Sequence, residues 1–457
     1  MITHRQIALC LMPIFLASCH GTSGCILCGP FASNLEGSLS GLVGNRLELQ
    51  NGSTPLNSSL NGTGANGSNI VFGTANFNTT YNISVRTQPS NPSQTCMVAN
   101  GTGNTGNGDV TNIAVTCTTN PPRFLYVANR GAGNVSAFSV NAATGALTSI
   151  IGSPFATGSN PVAIAVDPTG AYAYVVNQLT ATVAGFTINR TSGALVPVSG
   201  SPFGTPASPT DVVIDPSSSF VFVTSGGGGT VSAYTITPAT GVLVPLAGSL
   251  IATGPSPTAL VVDPLGQFAY VANQGNGTFA ALSIDTTGLL SVDMGSPFAA
   301  GADPRALALE PAGHVLYVAN SAANTLSAFG GVPVNPTVPV ASISGSPYAV
   351  GITPTSIAVE PMDNFLYVAN QGSNNVSGFK LRGSDGTLTA LTASPFVAGM
   401  QPSAIVVDPT GKFAYVANLG ANTVSGYAID PASGALTALP GSPFSTGLQP
   451  SAIAISD

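Results

Sequence analysis

From residue 121 onward the chain cycles through one pattern of apolar and polar positions. A proline-led run of small and aliphatic residues, such as Pro161-Val162-Ala163-Ile164-Ala165-Val166, is followed by Asp-Pro. Next comes an aromatic-led apolar run ending in Asn, such as Tyr174-Val175-Val176-Asn177. A run of the type Thr230-Val231-Ser232-Ala233-Tyr234 and a Gly-Ala-Leu-Thr segment complete the unit. The aromatic run recurs at Tyr126, Tyr174, Phe222, Tyr270, Tyr317, Tyr367 and Tyr415, with separations of 48, 48, 48, 47, 50 and 48. Short apolar runs bounded by Gly, Pro and Asn read as strands. Four strands in a unit of this length predict a β-propeller blade, so residues 121–457 are expected to form a seven-bladed propeller.

The phase of the repeat predicts how the ring closes. Proline-led strands begin at Pro161, Pro209, Pro257, Pro304, Pro354, Pro402 and Pro450, yet the run at Tyr126 has none before it and the run from Pro450 has nothing after it. The C-terminal strand is therefore expected to complete the first blade. Residues 31–119 have a different rhythm, in which β-forming runs near 47–49, 69–73, 81–86 and 112–117 are separated by Asn-Gly, Asn-Ser and Gly-Asn turns. That spacing predicts a small all-β sandwich.

On that rhythm and its late Cys pair, the 31–119 segment resembles the immunoglobulin-like domains of bacterial surface proteins, which implies a spacer. It has no Trp, and Tyr81 is its one ring with a polar tip, which argues against a sugar-stacking platform. Further upstream, His4 and Arg5 precede an apolar run over 7–16, and small residues follow, the layout of a secretory signal over 1–18. Leu16-Ala17-Ser18-Cys19 resembles a bacterial lipobox, which implies lipidation of Cys19 and a tether over 19–30. In an oxidising compartment Cys96 and Cys117 are expected to pair. Cys25 and Cys28 precede a Gly-Pro tether rather than opening a helix, so they read as a local disulfide instead of a redox centre.

Charge narrows the function classes. Only 6% of residues are charged, against about a quarter in an average globular protein. Blades that bury both faces of each sheet explain the deficit. Ten basic residues over the whole chain cannot make the clustered positive footprint that nucleic acid requires. Asp167, Asp215, Asp263, Glu310, Glu360 and Asp408 each precede a proline and read as turn formers, not as a metal ring, and no metal or other cofactor is expected. Asn129, Asn177, Asn273, Asn320, Asn370 and Asn418 are expected to bond backbone and to tolerate left-handed geometry. The aromatics after Ser-Pro, such as Phe155 and Phe203, are expected to pack between blades.

Function in a propeller is sought where one blade departs from the repeat. Adjacent strands are antiparallel, so the start of the first strand and the end of the second share a face. On that face stand Asp211, Arg305 and Arg130, three charges in a chain with few, and with Gln178 they form the candidate ligand face. The whole repeat resembles the seven-bladed lactonase-like propeller superfamily, in particular its branch with Tyr-Val-Thr-Asn repeats. In the enzymatic branch, which includes 6-phosphogluconolactonases, the resemblance implies an Arg and a His after a leading Pro and a Glu after the Asn of the next strand. Here those positions hold Val162, Ala163 and Gln178. His314, the one histidine of 121–457, falls on the opposite face. Neither Val nor Gln can move a proton at neutral pH.

These residues predict an exported, lipid-anchored and monomeric binding or scaffold module of the cell envelope, facing a surface protein or glycan. The alternative is a lactonase-like hydrolase with a divergent site. A haem-linked role ranks last, because no Cys-x-x-Cys-His is present.

Overall fold

The computed structural model describes residues 32–456 except 44–46, 53, 57–59, 61–64, 88, 90–93, 120–123, 333–339 and 383–384. The signal-like segment, Cys19, the 19–30 tether, Cys25 and Cys28 lie outside the described residues. The N-terminal region forms two four-stranded sheets. One runs in the order Gly67–Asn76, Ala32–Ser40, Val110–Thr119 and Gln94–Ala99, and the other in the order Thr54–Pro55, Glu48–Asn51, Thr80–Thr87 and Thr102–Asn104. Alternate residues of Ala32–Ser40 point inward, so Leu35 and Leu39 meet Leu49 and Ile83 of the other sheet in one core. The first strand pairs in parallel with Val110–Thr119, and at Gly37 a Cβ would lie 1.6 Å from the Ile113 carbonyl oxygen. Cys96 and Cys117 face each other on neighbouring strands and are joined as a disulfide.

Seven further sheets, among the described residues, are the propeller blades. Blade 2 is typical, running outward through Pro161–Val166, Tyr172–Asn177, Thr182–Ile188 and Leu195–Pro197. Its edge differs from the expected single fourth strand. After the Ser-Pro turn the chain returns, and Phe203–Gly204 pairs with the other end of Thr182–Ile188, so the outer edge is split in two. The Ser201 hydroxyl secures the break by accepting the Gly185 N–H at 2.9 Å. Rings that follow Ser-Pro pack into cores between blades, as where Phe298, stacked 5.2 Å from Phe279 of its own blade, joins a core shared with Leu316 and Phe329 of blade 5. Every residue of Phe124–Asn129, Phe365–Asn370 and Phe413–Asn418 is buried, which is why these strands hold no charge.

Neighbouring blades are also tied by polar bonds. The buried Tyr174 hydroxyl donates to the Gly241 carbonyl of blade 3 at 2.8 Å, and Tyr126, Tyr317, Tyr367 and Tyr415 repeat the bond one blade on. Tyr415 reaches Gly145 of blade 1, across the closure. There Pro450–Ile455 pairs antiparallel with Phe124–Asn129 and supplies the innermost strand of blade 1. The ring therefore closes as the phase of the repeat predicts.

The repeated Asn residues bond backbone as expected, but the left-handed half of the expectation is corrected. They are wholly buried, and Asn273 is extended at φ −107. The left-handed residue comes four positions later in every blade, at Gly133, Ala181, Gly229, Gly277, Asn324, Asn374 and Asn422. The Asn amide instead clamps the blade from inside: Asn418 donates to Ser425 Oγ at 2.9 Å and accepts the Gly399 N–H at 3.0 Å. Glycine is required at Gly399, because a Cβ there would lie 2.5 Å from the Asn418 amide carbon.

Blade 3 changes both partners at once. Its second strand ends in Ser225, and the linker position equivalent to Gly399 is Pro206. Ser225→Asn alone is expected to overfill this space and destabilise by roughly 1–3 kcal/mol, and adding Pro206→Gly should recover most of the loss. Thermal melting of the single and double variants checks this. A single variant as stable as the parent would contradict it.

Candidate functional site

The seven inner strands run side by side around a central channel, with their prolines at one mouth and their Asp-Pro or Glu-Pro turns at the other. At the proline mouth the residue after each leading proline forms a chain of hydroxyl bonds from blade to blade. Thr210 donates to the Pro257 carbonyl at 2.8 Å, Thr258 to Pro304 at 2.9 Å, Thr355 to Pro402 at 3.1 Å, and Ser403 and Ser451 to Pro450 and Pro161 at 2.7 Å. Val162 and Arg305 interrupt the series. At Arg305 a different side chain takes over, and Ser321 Oγ donates to the Pro354 carbonyl. The sequence singled out Arg305 at this position; the missed signal was a hydroxyl there in five of the seven blades.

Inside the ring lies a cavity of about 240 Å3, whose wall includes Thr210, Asp211, Arg305, Ser356 and Ser403. Asp211 Oδ1 accepts the Val212 N–H and Oδ2 the Leu260 N–H of blade 4, both at 2.9 Å. Ser356 does the same work in blade 6, accepting the Ile405 N–H at 3.1 Å. Burial pushes the Asp211 carboxyl up to about 7, against the opposing pull of its two backbone donors. Arg305 is half exposed and pairs with Asp303 at 3.1 Å. The structure thus brings Asp211 and Arg305 to one cavity.

Arg130 and Gln178 lie elsewhere on the same face. Arg130 Nε donates to Asn160 Oδ1 at 2.6 Å, and Asn160 Nδ2 donates to Gln178 Oε1 at 2.9 Å. This network edges a separate cleft of about 560 Å3, formed by the Gly131–Gly133 loop, residues 156–160 and Leu179. Asn160 and Ser356 went unnoticed in the sequence because their roles depend on contacts between blades; Asp303, two residues before Arg305, was a local partner left unread.

The opposite mouth carries the turn carboxylates. Asp167 accepts the Thr169, Ala171 and Tyr172 N–H groups at 3.2, 2.5 and 2.6 Å, which is the turn chemistry expected of it. His314 sits in one of these turns, where its own N–H donates to Glu310 at 2.6 Å. Blades 3 and 6 depart from the pattern, blade 3 with Ser218 at φ 58. Asp363, at φ 61, holds the left-handed position that is Gly170, Gly266, Gly313 or Gly411 in other blades. Burial, with Glu310 and Glu360 nearby, pushes its carboxyl up to about 7. Its folded value is thus above its unfolded one, so its contribution favours folding below about pH 4 and is lost as pH rises toward 7. Asp363→Gly is expected to raise Tm, by about 2 °C or more at pH 8 and by less at pH 5. Melting curves at both pH values check this, and an equal gain at both would contradict the electrostatic part.

The arrangement of the blades agrees with the outcome of comparison with known proteins. A family model described as lactonase, 7-bladed beta-propeller matches residues 91–207, 199–296, 249–337 and 296–447. The chain belongs to this family. A provisionally assigned 6-phosphogluconolactonase from Bacteroides fragilis is 21% identical, with a TM-score of 0.63 over 74% of this chain and 99% of that one. Its counterpart from Bacteroides uniformis is 18% identical, with a TM-score of 0.63 over 74% and 100%. The periplasmic gluconolactonase of Pseudomonas aeruginosa is 18% identical, with a TM-score of 0.60 over 73% and 99%. Identities this low establish the fold alone. No curated protein matches the chain.

Proposed function

We propose that the propeller is a hydrolase of small lactones, with its reacting groups moved from blade 2 to the Asp211 and Arg305 side of the proline mouth. The observation that carries this reading is Asp211: a carboxyl in the wall of a polar cavity, pushed up to about 7 by burial, suits a general base at physiological pH. In the carboxylate form Asp211 takes a proton from water as the water oxygen bonds to the lactone carbonyl carbon. Arg305 offsets the charge that develops on the carbonyl oxygen. Breakage of the ring C–O bond then returns the proton to the leaving oxygen. Membership of the lactonase family supports the substrate class.

A second reading is favoured by Val162, Ala163 and Gln178, which replace the Arg, His and Glu implied by the resemblance: a propeller that binds a surface protein or glycan without turning it over. In either case we place the protein outside the cytoplasm, anchored through Cys19, with the sheets of residues 32–119 as a spacer. The Cys96–Cys117 disulfide supports the oxidising compartment. The deciding experiment incubates the full chain with sugar and alkyl lactones and follows ring opening. Saturable binding without ring opening across the panel would leave the second reading in force.

A further inference from the structure

We propose that the other mouth of the channel binds a small organic cation with an apolar body. There the channel opens into a second cavity of about 630 Å3, lined in part by Leu307, which also lines the Asp211 cavity. Its wall is built from Pro168, Pro216, Pro264, Pro311, Pro361 and Pro409, and from the branched residue two positions before each of the last five. A concave, mostly apolar wall enclosing this volume suits the hydrocarbon or aromatic body of a small ligand. The wall is also preformed, since each proline has a fixed φ and follows a carboxylate already bonded to its own turn.

The sign of the charge selects the ligand. Among the described residues, the Asp-Pro and Glu-Pro turns of this mouth carry six carboxylates and Asp363, against Lys412 as their one Lys or Arg. Glu310 reaches the cavity wall itself. Asp363 Oδ1 is buried without a hydrogen-bond partner, beside Glu310 and Glu360. An anionic ligand would be repelled, and a neutral one would gain only the apolar contact. An ammonium group on a hydrocarbon body gains both. This site is independent of the lactone reading and would stand if that reading failed.

Calorimetric titration of the full chain at pH 8, above the value of about 7 to which burial pushes Asp363, with octyltrimethylammonium, octan-1-ol and octanoate tests the proposal. The ammonium is expected to bind one per chain, at least about fivefold more tightly than the alcohol, and octanoate is expected not to bind measurably. Asp363→Gly, which relieves strain and should not harm folding, is expected to weaken the ammonium about fivefold and leave the alcohol unchanged. Val359→Phe, which narrows the cavity, should weaken both. Equal affinity for octanoate and the ammonium, no binding of the ammonium, or an Asp363→Gly variant with unchanged affinity would each overturn the proposal.

Discussion

A chain ending at Gln449 is expected to lose at least about 10 °C of thermal stability, or its cooperative unfolding altogether. The missing segment, Pro450–Ile455, supplies the inner strand of blade 1 and joins the two ends of the ring. Its two faces pack on different neighbours: Ala452 and Ala454 join the core shared with blade 2, and Ile453 and Ile455 the core shared with blade 7. Burial of an isoleucine contributes about 1.5–3 kcal/mol when complete, and these two are partly buried. Each lost backbone bond adds about 0.5–1.5 kcal/mol. Truncation also uncovers Leu125, Tyr126 and Val127, none of which has any exposed surface in the closed ring. Together these losses rival the about 5–15 kcal/mol that holds a typical native domain. Circular dichroism melting of the two forms measures the effect, and an unchanged Tm would contradict closure by this strand.

Asp211→Ser is expected to lower kcat/KM toward a turned-over lactone by at least about 100-fold while leaving the fold intact. The second half of that expectation comes from blade 6, where Ser356 already bonds the next strand as Asp211 does in blade 3. Serine therefore keeps a tie to Leu260 and removes the base. Loss of a buried carboxyl that prefers to be neutral should also remove a source of instability at pH 8. Parallel kinetics and melting separate the roles: a stable, inactive variant assigns Asp211 to chemistry, and an unstable one to structure.

Much of the fold is legible in the sequence because a repeat averages out local ambiguity. One Tyr-Val-Ala-Asn run could be any buried strand, but seven in phase with seven proline-led runs leave only a ring, and the unpaired first and last runs leave only one closure. The split outer edge was not legible, since two-residue strands such as Phe203–Gly204 carry no periodicity. The Asn residues misled for a physical reason: Asn suits both left-handed turns and buried clamps, and only the contact with Gly399 and its equivalents distinguishes them. That contact leaves a trace in the chain, where Ser225 and Pro206 change together. Asp211 and Arg305 stood out because charge is rare here. Leu260, the partner of Asp211, did not, because that bond depends on how neighbouring inner strands are placed, whereas Asp303 lies only two residues before Arg305.

The most direct measurement is the pH dependence of kcat/KM for lactone opening, with the parent and Asp211→Ser compared across the range in which Asp211 titrates. The parent profile is expected to rise through an inflection near pH 7, where burial holds the carboxyl, and the variant's residual rate to show no such inflection. The same inflection in both proteins would place the proton transfer on another group and contradict the account.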